Sequence, residues 1–347
     1  MNQTSNTIIT TSLRERFPQI PSRESVLKKI ESTPDIFAMY DSWNEKQQAQ
    51  FLDFCTGARG ARLLYDTFFK EIMDPTNHPQ RLETFLSLLL GQKTKIRQIL
   101  PQESPRLADE KSLLSMDLLV ELADGSLANV EVQKIPYLFP GQRCACYSSD
   151  LLLRQYKRLR DKAKEEQKTF TYRSVKSVYT IVLFEKIISS FHDFPEKYLH
   201  RFSQTSDTGL SMDLLQKYVF ISLDILQEVV HNNGIRNDLE AWLMLFSSDD
   251  PEMILQLCDR NPEFVSIYED VYEMCRNIKG VMRMYSKELL ELDRNTVDFM
   301  IDEMQRDIDR LKGELTEKGT ALAEKDTALA EKDAEIRRLT KLLAAAH

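Results

Sequence analysis

An α/β fold, with a mixed sheet core flanked by helices and followed by an all-α region, is predicted by three patterns. Two apolar, β-branched runs at 118–122 and 127–132 are joined by Ala-Asp-Gly-Ser, and an Asp-Gly pair between such runs is a strong hairpin signal. Apolar and basic residues recur at helical spacing from about 142 to 164. The apolar run 177–184 fits a central strand, so that hairpin, helix and strand together form the predicted core.

Two patterns before the core predict how the chain enters it. A polar start rich in Thr, Ser and Asn indicates disorder, and apolar residues then recur at helical spacing from 22 to 54. Helices are expected at 65–73 and 81–90, and a first strand at 98–100.

The pattern after the core is helical throughout from 213 to 290. The complete division is 1–20 disordered, 21–60 helical lead-in, 61–200 sheet core, 201–295 helical region and 296–347 heptad-repeat coiled-coil helix.

The last segment carries a seven-residue apolar repeat, which is typical of a coiled coil. The a positions are Ile301, Ile308, Leu315, Leu322, Leu329, Ile336 and Leu343, and the apolar d positions are Met304, Leu311 and Leu339. Lysine occupies the d positions 318, 325 and 332, inside a near-repeat of TALAEKD. Weak or partner-dependent dimerisation, with a homodimer through residues 297–343, is expected, and a single solvated helix is the alternative.

Composition indicates the cellular compartment and the kinds of partner that the protein suits. The chain has no run of about 18 apolar residues and no basic-then-apolar leader, so neither a membrane span nor a signal peptide is expected. Five scattered cysteines suit reduced thiols in the cytoplasm. Net charge is −8, yet residues 143–176 contain ten Lys and Arg against four Asp and Glu. Such a basic segment can hold phosphates, although a solvated helix face would look the same.

The charges on the predicted hairpin indicate a metal site. Glu131 and Gln133 are two residues apart on a strand and therefore share a face, while Asp117 opens the preceding strand. A carboxylate inside an apolar strand must be paired or must hold a metal. Two carboxylates and a nearby polar group suit Mg²⁺, which prefers oxygen ligands. The alternative is an amphipathic edge ribbon with its carboxylates in water.

The turn decides whether these groups meet. A two-residue Asp124-Gly125 loop would pair Leu118 with Glu131 and place Asp117 on the opposite face. A three-residue loop centred on Gly125 would pair Leu119 with Glu131 and Asp117 with Gln133. The second register is predicted, because it brings all three polar groups to one face.

The hairpin and several other blocks resemble one protein family. Asp117, a hairpin and then Glu131-Val132-Gln133 are similar to the PD-(D/E)XK nuclease core in its Glu-x-Gln form, and more specifically to the PD-(D/E)XK nuclease family transposases, or recombination-promoting nucleases. The resemblance spans roughly 53–304. Its further blocks are YDTFFKEIMDP (65–75), RLETFLSLLLGQ (81–92), FPGQRCACYSSDLLLRQY (139–156) and LDRNTVDFMIDEM (292–304).

This resemblance implies a restriction-endonuclease-like core and a Mg²⁺-dependent DNA endonuclease, with Mn²⁺ as a substitute ion. Asp117, Glu131 and the Val132 carbonyl would be the metal ligands, with Gln133 orienting water or phosphate and Glu83 assisting. Gln133 departs from the family's general Glu-x-Lys pattern, because glutamine orients by hydrogen bonds and carries no charge. Either activity would then be slower or a neighbouring cation would substitute, and Lys111 is a candidate whereas Lys134 points to the wrong face.

The basic helix would be the DNA-binding element. The resemblance implies that Arg143, Tyr147 and Gln155 face the site. Arg154, Arg158 and Lys162 would contact backbone phosphates, which provide affinity without sequence readout. Helix-to-sheet packing is the alternative for Tyr147 and Gln155.

A second functional class fits the same sequence. Gln133 in place of lysine and the leucine–lysine tail also suit a catalytically weak DNA-binding or scaffolding protein that assembles partners through its coiled coil. DNA binding without metal dependence, but with a steep salt dependence, would favour it. No phosphate-binding glycine motif, histidine metal spacing or Ser/His/Asp arrangement is present.

Overall fold

The described residues of the computed structural model, 12–100, 118–134 and 140–345, contain one mixed six-stranded sheet. Its strands are β1 (Ile96–Ile99), β2 (Leu118–Leu122), β3 (Leu127–Gln133), β4 (Val178–Phe184), β5 (Leu199–Phe202) and β6 (Gln216–Ser222). They lie in the order β1-β2-β3-β4-β6-β5, with β3, β4 and β6 parallel and the remaining pairs antiparallel. The predicted α/β class is confirmed.

Helices cover both faces of this sheet. The helices in the described part of the chain are α1 (Leu13–Arg16), α2 (Arg23–Glu31), α3 (Pro34–Asp41), α4 (Glu45–Cys55), α5 (Asp66–Ile72), α6 (Pro79–Leu90), α7 (Pro140–Glu165), α8 (Leu223–Asn233), α9 (Asp238–Ser247), α10 (Pro251–Arg260), α11 (Pro262–Cys275) and α12 (Ile278–Ala345). The crossover from β3 to its parallel neighbour β4 contains α7, since parallel strands need a long connection.

Side-chain alternation divides the hairpin between two cores. Leu118, Val120 and Val130 join the large core formed with the helices of the N- and C-terminal halves. Leu119 and Leu127 face the other way and pack with Tyr147 and Leu151 of α7. Burying one such leucine is worth about 1.5–3 kcal/mol, so this contact fixes the helix over the polar end of β3.

The hairpin turn corrects the predicted register. Leu118 pairs with Val130 and Leu119 with Asn129, so the loop has three residues but is centred on Asp124 instead of Gly125. Leu122 N–H donates to the Ser126 carbonyl at 2.8 Å, and Gly125 closes the turn at φ +90°. The Asp124 carboxylate accepts from Ser126 N–H at 2.9 Å, which favours this loop because Asp stabilises such turns through its own side chain.

Two further expectations are wrong. Residues 12–20 are ordered: Ser12 and Glu15 form a capping box for α1, and Leu13, Phe17 and Ile20 are buried. Phe17 packs against two tyrosine rings of α11, so apolar spacing outweighs the polar composition. The segment 213–290 is not helical throughout, because β6 extends the sheet beside β4.

Contacts divide the chain into two units, Met1–Asn295 and Thr296–His347. The second unit is a solitary stretch of α12 with the apolar side chains of its heptad, such as Ile308, Leu315 and Leu329, exposed. Ion pairs within the helix, such as Arg310 with Glu314 at 3.0 Å, link neighbouring turns. Among the described helices, none has the length and apolarity needed to cross a membrane.

Candidate active site

A buried carboxylate marks the end of the hairpin. Glu131 lies near the end of β3 with 5% of its surface exposed, on the face that α7 covers. Its Oε1 is 3.3 Å from Nη2 of Arg143, which lies in the first turn of α7. Strand alternation thus directs Glu131 into the interface and the helix start brings a cation to it, so the apolar strand carries a charge that is paired, as burial requires.

Apart from Arg143, the side chains of α7 that surround Glu131 are buried and largely apolar. The Arg143 guanidinium lies 5.2 Å from the centre of the Tyr147 ring, and Tyr147 is fully buried. Burial raises the pKa of Tyr147, the negative charge of Glu131 raises it further, and Arg143 opposes them. Burial, then Glu131, raises the pKa of Cys144 to about 12, so this thiol stays protonated at neutral pH. Arg143 is therefore the cation that balances Glu131 here.

Polar groups continue along the same strand face. Asn129 and Gln133 flank Glu131 at two-residue spacing and are both buried. Asn129 is aligned with Thr180 of β4, and the side chains of both lack a hydrogen-bond partner within the described part of the chain. The sheet beneath α7 is thus polar at its centre and apolar around it.

Two of the expected residues are not tested. Asp117 and Lys111 lie outside the described residues. Val132, by alternation, turns its side chain to the large core, and nothing in the structure tests its carbonyl as a ligand. The Gln133 carbonyl accepts from Glu185 N–H at 2.8 Å, so the end of β3 is fixed against β4.

Glu83 is bound to the edge strand. Its Oε2 lies 2.5 Å from Lys95 Nζ, and its Oε1 accepts from Ile96 N–H at 2.9 Å. Burial alone would raise the pKa of Glu83, but the hydrogen bonds from Lys95 and Ile96 outweigh it and lower the pKa. Glu83 therefore joins α6 to β1, and its predicted assistance at the metal remains a prediction.

Most of the expected DNA contacts on α7 are engaged inside the protein. Arg154 pairs with Asp150 at 2.7 Å, and Arg158 pairs with Glu121 at 2.7 Å. Gln155 is buried, donating to the Gly125 carbonyl at 3.3 Å and accepting from Lys176 N–H at 2.7 Å. Burial leaves Tyr147 and Gln155 no surface for DNA, so the packing alternative describes them.

Among the residues expected to contact DNA, Lys162 is the one with the exposure of a phosphate contact. Its side chain is 61% exposed, and its pairing with Glu166 is loose at 3.9 Å. Lys134, expected to point away from the site, does so: it forms a buried ion pair with Glu288 of α12.

Sequence reasoning missed one carboxylate, Glu121 of β2. It is 6% exposed and receives Gln98 Nε2 at 2.7 Å and Arg97 at 3.2 Å, in addition to Arg158. The signal was present, because Glu121 interrupts the apolar run LLVEL at a position facing α7. Glu121 ties β1, β2 and α7 together and is the structural counterpart of Glu131.

Comparison with known families decides the relationship. Residues 63–297 match the model of the PD-(D/E)XK nuclease family transposases, which is more than half of the chain. The chain belongs to this family. Comparisons with curated proteins and with solved structures found no match.

Nucleases of the PD-(D/E)XK family generally use divalent metals, so the donors near Glu131 must be tested against one. The described residues contain no group of three or more His, Cys, Asp and Glu that could hold a metal. They do supply oxygen donors on one face, the Glu131 carboxylate and the amides of Asn129 and Gln133, and Asn129 has no other partner among them. These oxygen donors are of the kind that a hard cation prefers, but they include one carboxylate, and the site would need a second.

Proposed function

We propose that the chain is a metal-dependent DNA endonuclease that hydrolyses phosphodiester bonds at the Glu131 end of the hairpin, in the service of transposition or recombination. The observation that carries this proposal is the buried Glu131, paired with Arg143 and flanked by polar groups, in a member of a nuclease family. A carboxylate buried beneath a helix serves ligand binding better than folding, because desolvating its charge is costly.

Asp117 is the proposed second carboxylate. In the observed register Leu118 is opposite Val130. If β2 continues one residue toward its start, position 117 is opposite Glu131 and shares its face. Asp117, Glu131 and the Val132 carbonyl would then hold Mg²⁺, or Mn²⁺ in its place. When bound, such an ion polarises a phosphate and lowers the pKa of an attacking water.

The remaining roles belong to the chain itself. Gln133 would orient the water or the phosphate through its amide. Arg143, 3.3 Å from Glu131, is the proposed source of the positive charge that a lysine at position 133 would have supplied. Glu131 holds this guanidinium at the site, where it can stabilise charge developing on the phosphate.

Nicking of supercoiled plasmid tests this function. With Mg²⁺ or Mn²⁺ the protein should nick, and Asp117→Ala and Glu131→Ala should each lower the rate by at least about 100-fold, the loss of several kcal/mol of metal-derived stabilisation. Glu121→Gln is the matched control, since it alters a buried carboxylate of the same hairpin that Arg97 and Arg158 hold. Equal activity of Glu131→Ala and the wild type would refute the proposal.

A DNA-binding or scaffolding role is the second candidate. Gln133 in place of a lysine, together with the leucine–lysine tail, favours it. Wild-type protein that binds DNA with a steep salt dependence but does not nick with either metal would give this role the lead.

We also propose that the heptad segment, residues 297–343, forms a weak parallel homodimer. Its apolar a positions from Ile301 to Ile336 are exposed, and Asp307 at g can pair with Lys312 at e of a partner helix. Sedimentation velocity should show a concentration-dependent dimer that Leu315→Glu with Leu322→Glu abolishes. A wild-type chain that stays monomeric at all concentrations contradicts this.

A further inference from the structure

Three aromatic rings cluster on the surface at the far end of α7. Tyr156 and Tyr172 lie nearly parallel, with ring centres 6.0 Å apart and an interplanar angle of 10°. Phe170 stands edge-on to both, at 5.3 Å and 5.2 Å. Tyr172 is 75% exposed, which is unusual for so large an aromatic side chain. We refer to Tyr156, Phe170 and Tyr172 as the aromatic platform.

The turn after α7 builds this platform. Lys168 N–H donates to the Ala163 carbonyl at 2.8 Å and Gln167 N–H to the Lys164 carbonyl at 3.2 Å, the two bonds of a Schellman motif. Gln167 takes the left-handed conformation at φ 54°, a position where glycine is usual. The chain therefore reverses sharply and brings Phe170 and Tyr172 back onto Tyr156.

Positive charge surrounds the platform. A surface cavity of about 510 Å³ is lined by Tyr156 and Phe170 and by Lys157, Arg160, Lys164 and Lys168, with Asp161 as its one acidic lining residue. Lys157, Lys164 and Arg173 make no ion pair within the described part of the chain, in contrast to Arg154 and Arg158. Arg160 also donates to the Tyr156 hydroxyl at 3.3 Å, which steadies the ring.

We infer that the aromatic platform binds unpaired bases of single-stranded DNA, an inference that rests on the proposed nuclease function for its choice of ligand. Aromatic side chains beside a cationic groove are the combination that holds single strands, because bases stack on the rings while Lys and Arg attract the backbone. The cavity has the size of a small-ligand site and can accept a nucleotide.

Stacking determines which nucleic acid fits. In a duplex the faces of the bases are covered by their neighbours, so an exposed tyrosine gains nothing from them, whereas an unpaired base offers a free face. An acidic peptide would use the lysines but not the ring of Tyr172. The nuclease should therefore prefer DNA that contains unpaired nucleotides.

Fluorescence anisotropy in EDTA tests the inference, with a labelled oligo(dT) of about 16 nucleotides and a duplex of equal length as probes. Tyr172→Ala should weaken oligo(dT) binding about 10-fold or more, since stacking is worth about 1–3 kcal/mol per base. Duplex binding should change by less than about twofold. Phe37→Ala, at another exposed aromatic residue, is the matched control and should bind as the wild type does.

A second variant supplies a direct signal. Tyr172→Trp should retain oligo(dT) binding, and oligo(dT) should quench its added indole fluorescence while the duplex does not. Trp43 and Trp242, the chain's own tryptophans, are buried and serve as a constant background. Equal loss of oligo(dT) and duplex binding in Tyr172→Ala, unchanged oligo(dT) binding, or equal competition by poly-glutamate would each overturn the inference.

Plasmid nicking keeps the two proposals separate. Wild-type nicking together with unchanged oligo(dT) binding by Tyr172→Ala refutes the platform and leaves the nuclease intact. If the wild type does not nick but Tyr172→Ala selectively loses oligo(dT) binding, the nuclease is refuted and the platform is supported.

Discussion

Two sets of basic residues on and beyond α7 behave in opposite ways. Arg143, Arg154 and Arg158 are each paired with a carboxylate, Glu131, Asp150 and Glu121 respectively. On the outer side of the helix and beyond its end, Lys157, Lys164 and Arg173 face water beside the aromatic platform. The arginines organise the protein's own acidic groups, whereas the outer cations remain available to phosphates.

Burial explains this difference. A cation near a buried carboxylate is held in place by a charge that water cannot screen. It can therefore act only on a ligand bound beside that carboxylate, as proposed for Arg143, and not on a DNA strand that lies elsewhere unless the pair breaks. An exposed lysine breaks no ion pair when it meets a phosphate, and the contact releases a counterion condensed on the nucleic acid. The number of basic residues in a helix therefore does not predict which of them bind DNA.

The largest expected effect is on nicking activity, which should distinguish a paired arginine from an exposed lysine. Arg143→Met should lower nicking about 10- to 100-fold, as the loss of a group that orients a metal ligand does. Its oligo(dT) affinity should stay within about twofold of the wild type, because Arg143 is remote in sequence from the platform and paired with Glu131. Lys157→Met is the matched control and should show the reverse. Equal losses of nicking in both variants would remove the distinction.

Salt dependence tests the outer cations. The triple variant Lys157→Ala, Lys164→Ala, Arg173→Ala should reduce the slope of log affinity for oligo(dT) against log salt by about 2, since each single-strand phosphate contact contributes about 0.7. Titrations at several salt concentrations measure it. A slope equal to that of the wild type would mean that these cations do not contact the strand.

Stability should respond at the paired arginines. Arg158→Met should lower the free energy of unfolding by about 1–3 kcal/mol, because it removes one charged partner of the buried Glu121. In urea titrations Lys164→Met, which alters an exposed cation on the same helix, should stay within about 0.5 kcal/mol of the wild type. Similar losses in both variants would contradict the division.

Acid sensitivity should reveal the role of Glu83. Because its pKa is lowered in the folded state, Glu83 adds stability above the unfolded carboxyl pKa, and this is lost as the pH falls through the folded pKa. Glu83→Gln should cost about 1 kcal/mol at pH 7, and the difference from the wild type should shrink in urea titrations carried into acid. Unchanged stability together with loss of nicking would instead indicate the metal role.

The smallest expected effect concerns the turn that builds the platform. Gln167→Gly should raise the free energy of unfolding by about 0.5–1 kcal/mol, because glycine adopts a positive φ without steric cost. Thermal or urea unfolding measures it, with Gln167→Ala as the control that should give no gain. A destabilised Gln167→Gly would mean that the Gln167 side chain makes a compensating contact.

Local signals account for the parts of the fold that the sequence predicted. The signals for the hairpin, for β4 and for α7 each lie within a short window, and all three elements are found, with the hairpin turn centred one residue earlier than expected. The strand β6 was missed because its apolar run leads directly into α8, and only its pairing with β4 separates the two.

Long-range pairing limited the prediction of the site. Glu131 and the basic helix were recognised. The partners of Glu121, however, come from β1 and α7, and no residue near Glu121 in sequence indicates that Arg158 forms an ion pair with it. The register of the hairpin differed because the Asp124 side chain stabilises a loop centred one residue earlier. Asp117 lies outside the described residues, so its role remains a prediction.

Direct measurement of metal binding tests the central claim, that Glu131 is the ligand-binding carboxylate and Glu121 the structural one. Electron paramagnetic resonance of free Mn²⁺ should show about one ion bound per chain, as a site of this donor type predicts. Glu131→Gln should weaken this binding at least about 10-fold, while Glu121→Gln should bind as the wild type does. Identical Mn²⁺ isotherms for Glu131→Gln and the wild type would contradict the account.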